Sequence, residues 1–161
     1  MNMIKQCIAI TLILMSFYSS AQNAVEKLVI NKTLDLFHQA ASVADAKQYL
    51  GLLTEDAIFL GTDASERWSK SQFSDFVLPR FQQGKGWLYE VNQRNVNLLA
   101  GNSTAFFDEV LINKNYGRCR GSGVLVKTSN GWKISQYSLS VLVPNGISNQ
   151  VIEIIKMHEQ L

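Results

Sequence analysis

Four long runs of aromatic and β-branched residues follow one another with no helix between them. They are "WLYEVNQRNVNLL" (87–99), "STAFFDEVLIN" (103–113), "YGRCRGSGVLVKT" (116–128) and "WKISQYSLSVLV" (132–143). Runs of this kind, bounded by turn residues, read as strands. The breaks between them are Ala100-Gly101-Asn102, Lys114-Asn115 and Ser129-Asn130-Gly131. Breaks this short admit only antiparallel hairpins, because a parallel return needs a long crossover. Much of the chain is thereby committed to one antiparallel sheet.

Helices precede this block. From Asn23 to about Ala41, Val25, Leu28, Val29, Leu36, Phe37 and Ala40 recur at three- and four-residue steps, which predicts an amphipathic helix. "DAKQYLGLL" (45–53) predicts a shorter helix ending near Gly51, and "AIFLG" (57–61) a short strand. Ser69 and Gln72 fit a capping box that opens a helix over about 70–77, with Pro79 as its stop. After Pro144-Asn145-Gly146, residues Ile147, Val151, Ile154 and Ile155 line one stripe of a last helix. Helices first and a meander after is an α+β domain with its helices on one face of a bent sheet. The sheet is apolar on both faces: Phe106, Val110 and Ile112 point one way, and Ala105, Phe107 and Leu111 the other. One face meets the helices. The other predicts a homodimer through the sheet.

The first residues read differently. "MNMIKQCIAITLILMSFYSSAQ" has a lysine, an apolar stretch from Cys7 to Phe17, and then Ser19-Ser20-Ala21. This is the pattern of a secretory signal cut after Ala21. The apolar stretch falls short of the about 20 residues that span a bilayer. Residues 1–21 are therefore expected to be a leader, and residues 22–161 one domain of a secreted or periplasmic protein with no membrane anchor once cut. Cleavage removes Cys7 and leaves Cys119 alone, so neither an internal disulfide nor a Cys-rich metal site is available. A net charge of +2 with no basic stripe argues against nucleic acid as a partner. No phosphate loop, nucleophile elbow or dinucleotide fingerprint occurs. No cofactor is expected, and the two histidines, His38 and His158, have no neighbours at metal-ligand spacing.

The element order, with "LTEDAIFLGTDASERW" (53–68), "AFFDEVL" (105–111), "CRGSGVLVK" (119–127) and "GWKISQYSLSVLVPN" (131–145), resembles the SnoaL-like branch of the nuclear transport factor 2-like superfamily. The resemblance implies a cystatin-like cone, a curved antiparallel sheet wrapped around the N-terminal helices with a pocket between them. It implies a small, partly apolar ligand. It leaves cofactor-free acid/base chemistry of isomerase, dehydratase or hydrolase type open beside pure binding, because the fold does not fix the activity.

In such a cone the loop after the first short strand lies near the mouth. Asp63 would accept hydrogen bonds there, Arg67 would clamp an anionic group and Trp68 would form an aromatic wall. The alternative is a plain turn with Trp68 in the core. Asp108 and Glu109 sit mid-strand among apolar neighbours, and only one of the two can face the pocket. Desolvation of that carboxylate suits a general acid or base. The neighbours Phe106, Val110 and Ile112 favour Asp108 slightly, although Glu109 has similar ones, and an ion pair with Arg118 or Arg120 is the alternative. Arg120 would hold a carboxylate or oxyanion if its face is concave. On the last strand, alternation groups Trp132, Ile134, Gln136 and Ser138, which would put Gln136 in the pocket. His38 reads as a core or surface histidine. Gly121 and Gly123 predict a bend or close packing in the third long strand.

Overall fold

The computed structural model describes the backbone of residues 2–159 and the side chains of residues 21–159. The expected leader, residues 1–21, lies almost wholly outside the described side chains. Its backbone continues the first helix, α1 (Asn2–Ser42). Among the described residues no helix is long and apolar enough to cross a membrane.

After α1 come α2 (Ala46–Gly51), β1 (Leu53–Leu60), β2 (Arg67–Ser69), α3 (Lys70–Phe81), β3 (Glu90–Leu98), β4 (Thr104–Asn113), β5 (Gly117–Thr128), β6 (Gly131–Val141) and α4 (Ser148–Glu159). Asp45 caps α2 by accepting from the Gln48 N–H at 2.9 Å. At α3 the capping box is complete: Ser69 accepts from the Gln72 N–H, and the Gln72 side chain accepts from the Ser69 N–H. The helix runs past Pro79 to Phe81, where the sequence predicts a stop. Phe81 is buried and packs on Tyr49 and Trp87, and that burial carries α3 through one more residue pair.

The sheet has the order β2-β1-β6-β5-β4-β3. The last four strands form the expected antiparallel meander, and β1 joins β6 in parallel. This is the α+β class, with α1 to α3 on the inner face of a curved sheet. Along β4 the alternation is clean: Ala105, Phe107, Glu109 and Leu111 are buried, while Phe106 is 46% exposed on the outer face.

Two sequence readings need correction. On α1, Val25, Leu28 and Val29 are exposed, at 56%, 71% and 43%. The buried face instead runs through Glu26, Ile30, Thr33, Leu34, Phe37 and His38. Three polar residues sit on that face with partners of their own, so apolarity alone misplaces the stripe. On β6 the register slips by one residue at Ser135, because Ile134 faces Leu125 while Gln136 faces Val124. A bulge of one residue reverses the alternation beyond it. Trp132 and Ile134 point inward, and after the bulge Tyr137 points inward in place of Gln136.

Candidate functional site

Between α1, α2, α3 and the inner face of the sheet lies a cavity of about 100 Å³ that opens toward solvent. Its walls are largely aromatic. Phe59 stacks on Phe73 with ring centres 3.9 Å apart and on Tyr137 at 5.3 Å. Phe76 lies nearly parallel to both Trp68, at 5.0 Å, and Trp87, at 5.9 Å. Rings held this way present flat faces and edges at fixed spacing.

Behind the polar wall formed by His38 and Tyr137 sits Glu109, which is completely buried and does not itself line the cavity. The Oε1 atom of Glu109 accepts from His38 Nε2 at 2.7 Å and from the Tyr137 hydroxyl at 3.0 Å. Its Oε2 accepts from Arg94 Nε at 2.7 Å. Arg94 Nη1 also donates to Asp35 Oδ1 at 2.6 Å and to the Asn31 carbonyl at 3.2 Å. Burial pushes the Glu109 carboxyl up, but His38 and Arg94 outweigh it and hold the group below its ordinary range. Tyr137 is raised well above the ordinary phenol value, first by burial and then by the Glu109 charge, so it stays a neutral donor. An ionised Glu109 only accepts, so His38 Nε2 carries a proton, and a neutral imidazole then has its lone pair on Nδ1. Both His38 and Tyr137 line the cavity.

Gly121 makes this meeting possible. A Cβ there would lie 2.3 Å from the Tyr137 hydroxyl and 2.8 Å from Glu109 Oε1. At Gly123 a Cβ would lie 2.0 Å from the Gln136 carbonyl, beside the bulge. The expected close packing of β5 is therefore an approach of a carboxylate, a phenol and a bulged backbone to bare glycine.

The residues singled out from sequence separate into two groups. Of the mid-strand pair, Glu109 faces inward and Asp108 faces outward, where it accepts from Asn95 at 3.0 Å. The partner of Glu109 across the strands is Arg94 of β3, not Arg118 or Arg120. Trp68 lines the cavity. Asp63 does not: it is exposed and accepts from the Ser65 N–H at 2.8 Å and the Ser65 hydroxyl, which fixes the turn. Arg67 is exposed and lies outside the cavity wall, while its neighbours Gly61, Thr62 and Glu66 form part of it. Arg120 pairs with Ser140 on the outer face, and Gln136 joins that face through the bulge. Sequence reasoning missed His38, Arg94 and Tyr137 as site residues. His38 sits 71 positions from Glu109, and no local spacing links them. Among the described residues no three His, Cys, Asp or Glu gather in a way that would hold a metal.

A profile of the SnoaL-like domain matches residues 30–144. Solved structures resemble the fold at low identity. A provisionally named scytalone dehydratase from Novosphingobium aromaticivorans DSM 12444 aligns with a TM-score of 0.66 at 11% identity, over 77% of this chain and 89% of that one. A nuclear transport factor 2-like protein of unknown function from Pseudomonas putida KT2440 gives 0.62 at 13% identity, over 76% and 90%. A protein of unknown function with a cystatin-like fold from Nostoc punctiforme PCC 73102 gives 0.58 at 15%, over 76% and 94%. No curated protein matches the sequence.

Proposed function

The chain belongs to the SnoaL-like domain family, and on that premise we propose that it binds a small, flat, partly apolar molecule in the aromatic cavity and moves a proton on it with His38. One observation carries this reading: His38 lines the cavity while its Nε2 is held by the buried Glu109. A carboxylate behind an imidazole fixes its tautomer and stabilises the imidazolium that forms when the other nitrogen takes a proton. Tyr137 and Arg94 hold the carboxylate in turn. The chemistry that fits is removal of a proton next to a carbonyl, leading to isomerisation or loss of water. One solved structure with this fold carries the provisional name of a scytalone dehydratase. Proton exchange in D₂O on a panel of small aromatic ketones and hydroxyketones, followed by NMR, tests it. His38→Gln is expected to slow exchange roughly 10²- to 10⁴-fold. Undiminished exchange in that variant would remove His38 as the base.

A second reading, binding without catalysis, draws on the saturation of Glu109, whose two oxygens already take three donors. Ligand binding with no exchange in the wild-type chain would favour it.

The leader and the second copy belong to the same proposal. Cleavage after Ala21 gives a secreted or periplasmic chain, and the intact mass of the exported protein checks it. The outer sheet face, with Phe106 46% exposed beside partly buried Val110, Val124 and Val126, is the proposed dimer surface. Phe106→Asp is expected to convert dimer to monomer in light scattering, and an unchanged mass would remove that surface.

A further inference from the structure

The rim of the cavity carries a charge that the proton-transfer reading does not use. The stretch Gly61–Glu66 closes on itself: the Gly61 N–H donates to the Glu66 carbonyl at 2.8 Å, and the Asp63 N–H donates to Glu66 Oε2 at 3.2 Å. The Glu66 carboxylate folds back over Gly61, where a Cβ would lie 2.1 Å from Oε2. Bare glycine thus leaves room for a carboxylate held against the cavity wall. Glu66 lines the cavity, and among the described residues it has no cationic partner within ion-pair distance.

The other charges near the cavity are already answered or turned away. Glu109 is matched by Arg94 and His38. Arg67 is exposed and outside the wall. Arg80 lies over the Trp87 ring, 5.0 Å from its centre, and does not line the cavity. Among the described residues no lysine or arginine lines it. What remains is one carboxylate above a box of aromatic faces, and aromatic faces attract cations. Tyr89, also in the wall, is raised above the ordinary phenol range by burial first and stays neutral.

We infer that the cavity takes ring-bearing ammonium compounds in preference to aryl carboxylates, with the ring between the aromatic walls and the ammonium group at Glu66. This rests on the cavity being a ligand site and adds the charge class of what enters it. It also replaces the anion clamp that Arg67 suggested in the sequence.

Three matched probes test the inference by calorimetry on the full chain near neutral pH: 2-phenylethylamine, 2-phenylethanol and phenylacetate. The amine is expected to bind tightest and the carboxylate weakest, with roughly tenfold between amine and alcohol. Glu66→Gln keeps an oxygen for the Asp63 N–H and is expected to collapse the amine-to-alcohol ratio toward one. Added salt is expected to narrow the same gap in the wild-type chain. Phenylacetate binding as tightly as the amine, or a ratio untouched by Glu66→Gln, overturns the inference. If the alcohol binds without any charge preference, the inference falls and the ligand-site reading stands. If none of the three probes binds, both fall.

Discussion

Helix α1 meets the sheet through two buried glutamates, and they behave differently. Glu26 is 6% exposed and accepts from Lys127 Nζ at 2.5 Å, Trp132 Nε1 at 2.8 Å and Gln22 Nε2 at 3.0 Å. Glu109 reaches the other way, from β4 to His38 on the helix, and also takes Arg94 and Tyr137. Residues 26 and 38 stand about 18 Å apart along the helix axis, at 1.5 Å per residue. One cluster ties down the helix away from the aromatic cavity, and its lysine is half exposed. The other joins the same helix to a cavity wall. The same residue type thus serves as a plain tie in one place and, in the other, orients a histidine that a ligand can reach. What separates them is access, since two partners of Glu109, His38 and Tyr137, line the aromatic cavity and the partners of Glu26 do not.

The comparison can be broken at either end. Glu109→Ala leaves Arg94 buried without its main counter-charge and is expected to destabilise the fold by about 3–5 kcal/mol. Glu26→Ala strands the Trp132 N–H but leaves Lys127 free to reach water, and about 1–3 kcal/mol is expected. Urea midpoints of the two variants check the order. A larger loss at Glu26 would reverse the assignment of which tie matters more.

Gly121→Ala sharpens the contrast without removing any polar group. The added methyl must part Tyr137 from Glu109, and overpacking of this kind costs about 1–3 kcal/mol. Its more specific effect is on the NMR chemical shifts of the His38 ring, which are expected to move as the carboxylate is displaced. A fold loss with unmoved His38 ring shifts would make Gly121 a packing residue alone.

The pH dependence has the same sign at both sites. Glu109 and Glu26 are both held below their ordinary value in the folded chain. For Glu26 the leading cause is the Lys127 hydrogen bond, followed by that of Trp132. A carboxylate with a depressed folded value binds fewer protons folded than unfolded in the acid range. Its contribution is full above the unfolded value, and it is lost as pH falls through the folded one. Thermal melts are therefore expected to fall on acidification below about pH 4.5, the ordinary glutamate value. Glu109→Gln and Glu26→Gln should each flatten that limb. The smallest effect is expected from Trp132→Phe, which removes one hydrogen bond to Glu26 at about 0.5–1.5 kcal/mol. Ligand binding should not change in that variant.

Much of the architecture is legible locally. Period-two alternation in 103–113 separates Phe107 and Glu109 from Phe106 and Asp108 without any tertiary knowledge. The capping box at Ser69 and Gln72 is visible because its partners are three residues apart. The site is less legible. Alternation shows that Asp108 and Glu109 oppose each other, but not which of them faces the helices. The Ser135 bulge has no sequence signal, yet it moves Gln136 out and Tyr137 in. The buried face of α1 contains Glu26, Thr33 and His38, which a hydrophobic pattern counts as surface.

The residues alone determine the antiparallel meander, the helix starts and the pairing of faces along each strand, because hairpin breaks, caps and side-chain alternation act over a few positions. Only the folded chain decides that Glu109 meets His38, Arg94 and Tyr137 beside an aromatic cavity. Those groups come from four separate elements. Each finds its charge or hydrogen-bond partner only when the sheet has curved, the bulge has shifted β6, and a glycine has left space for them to touch.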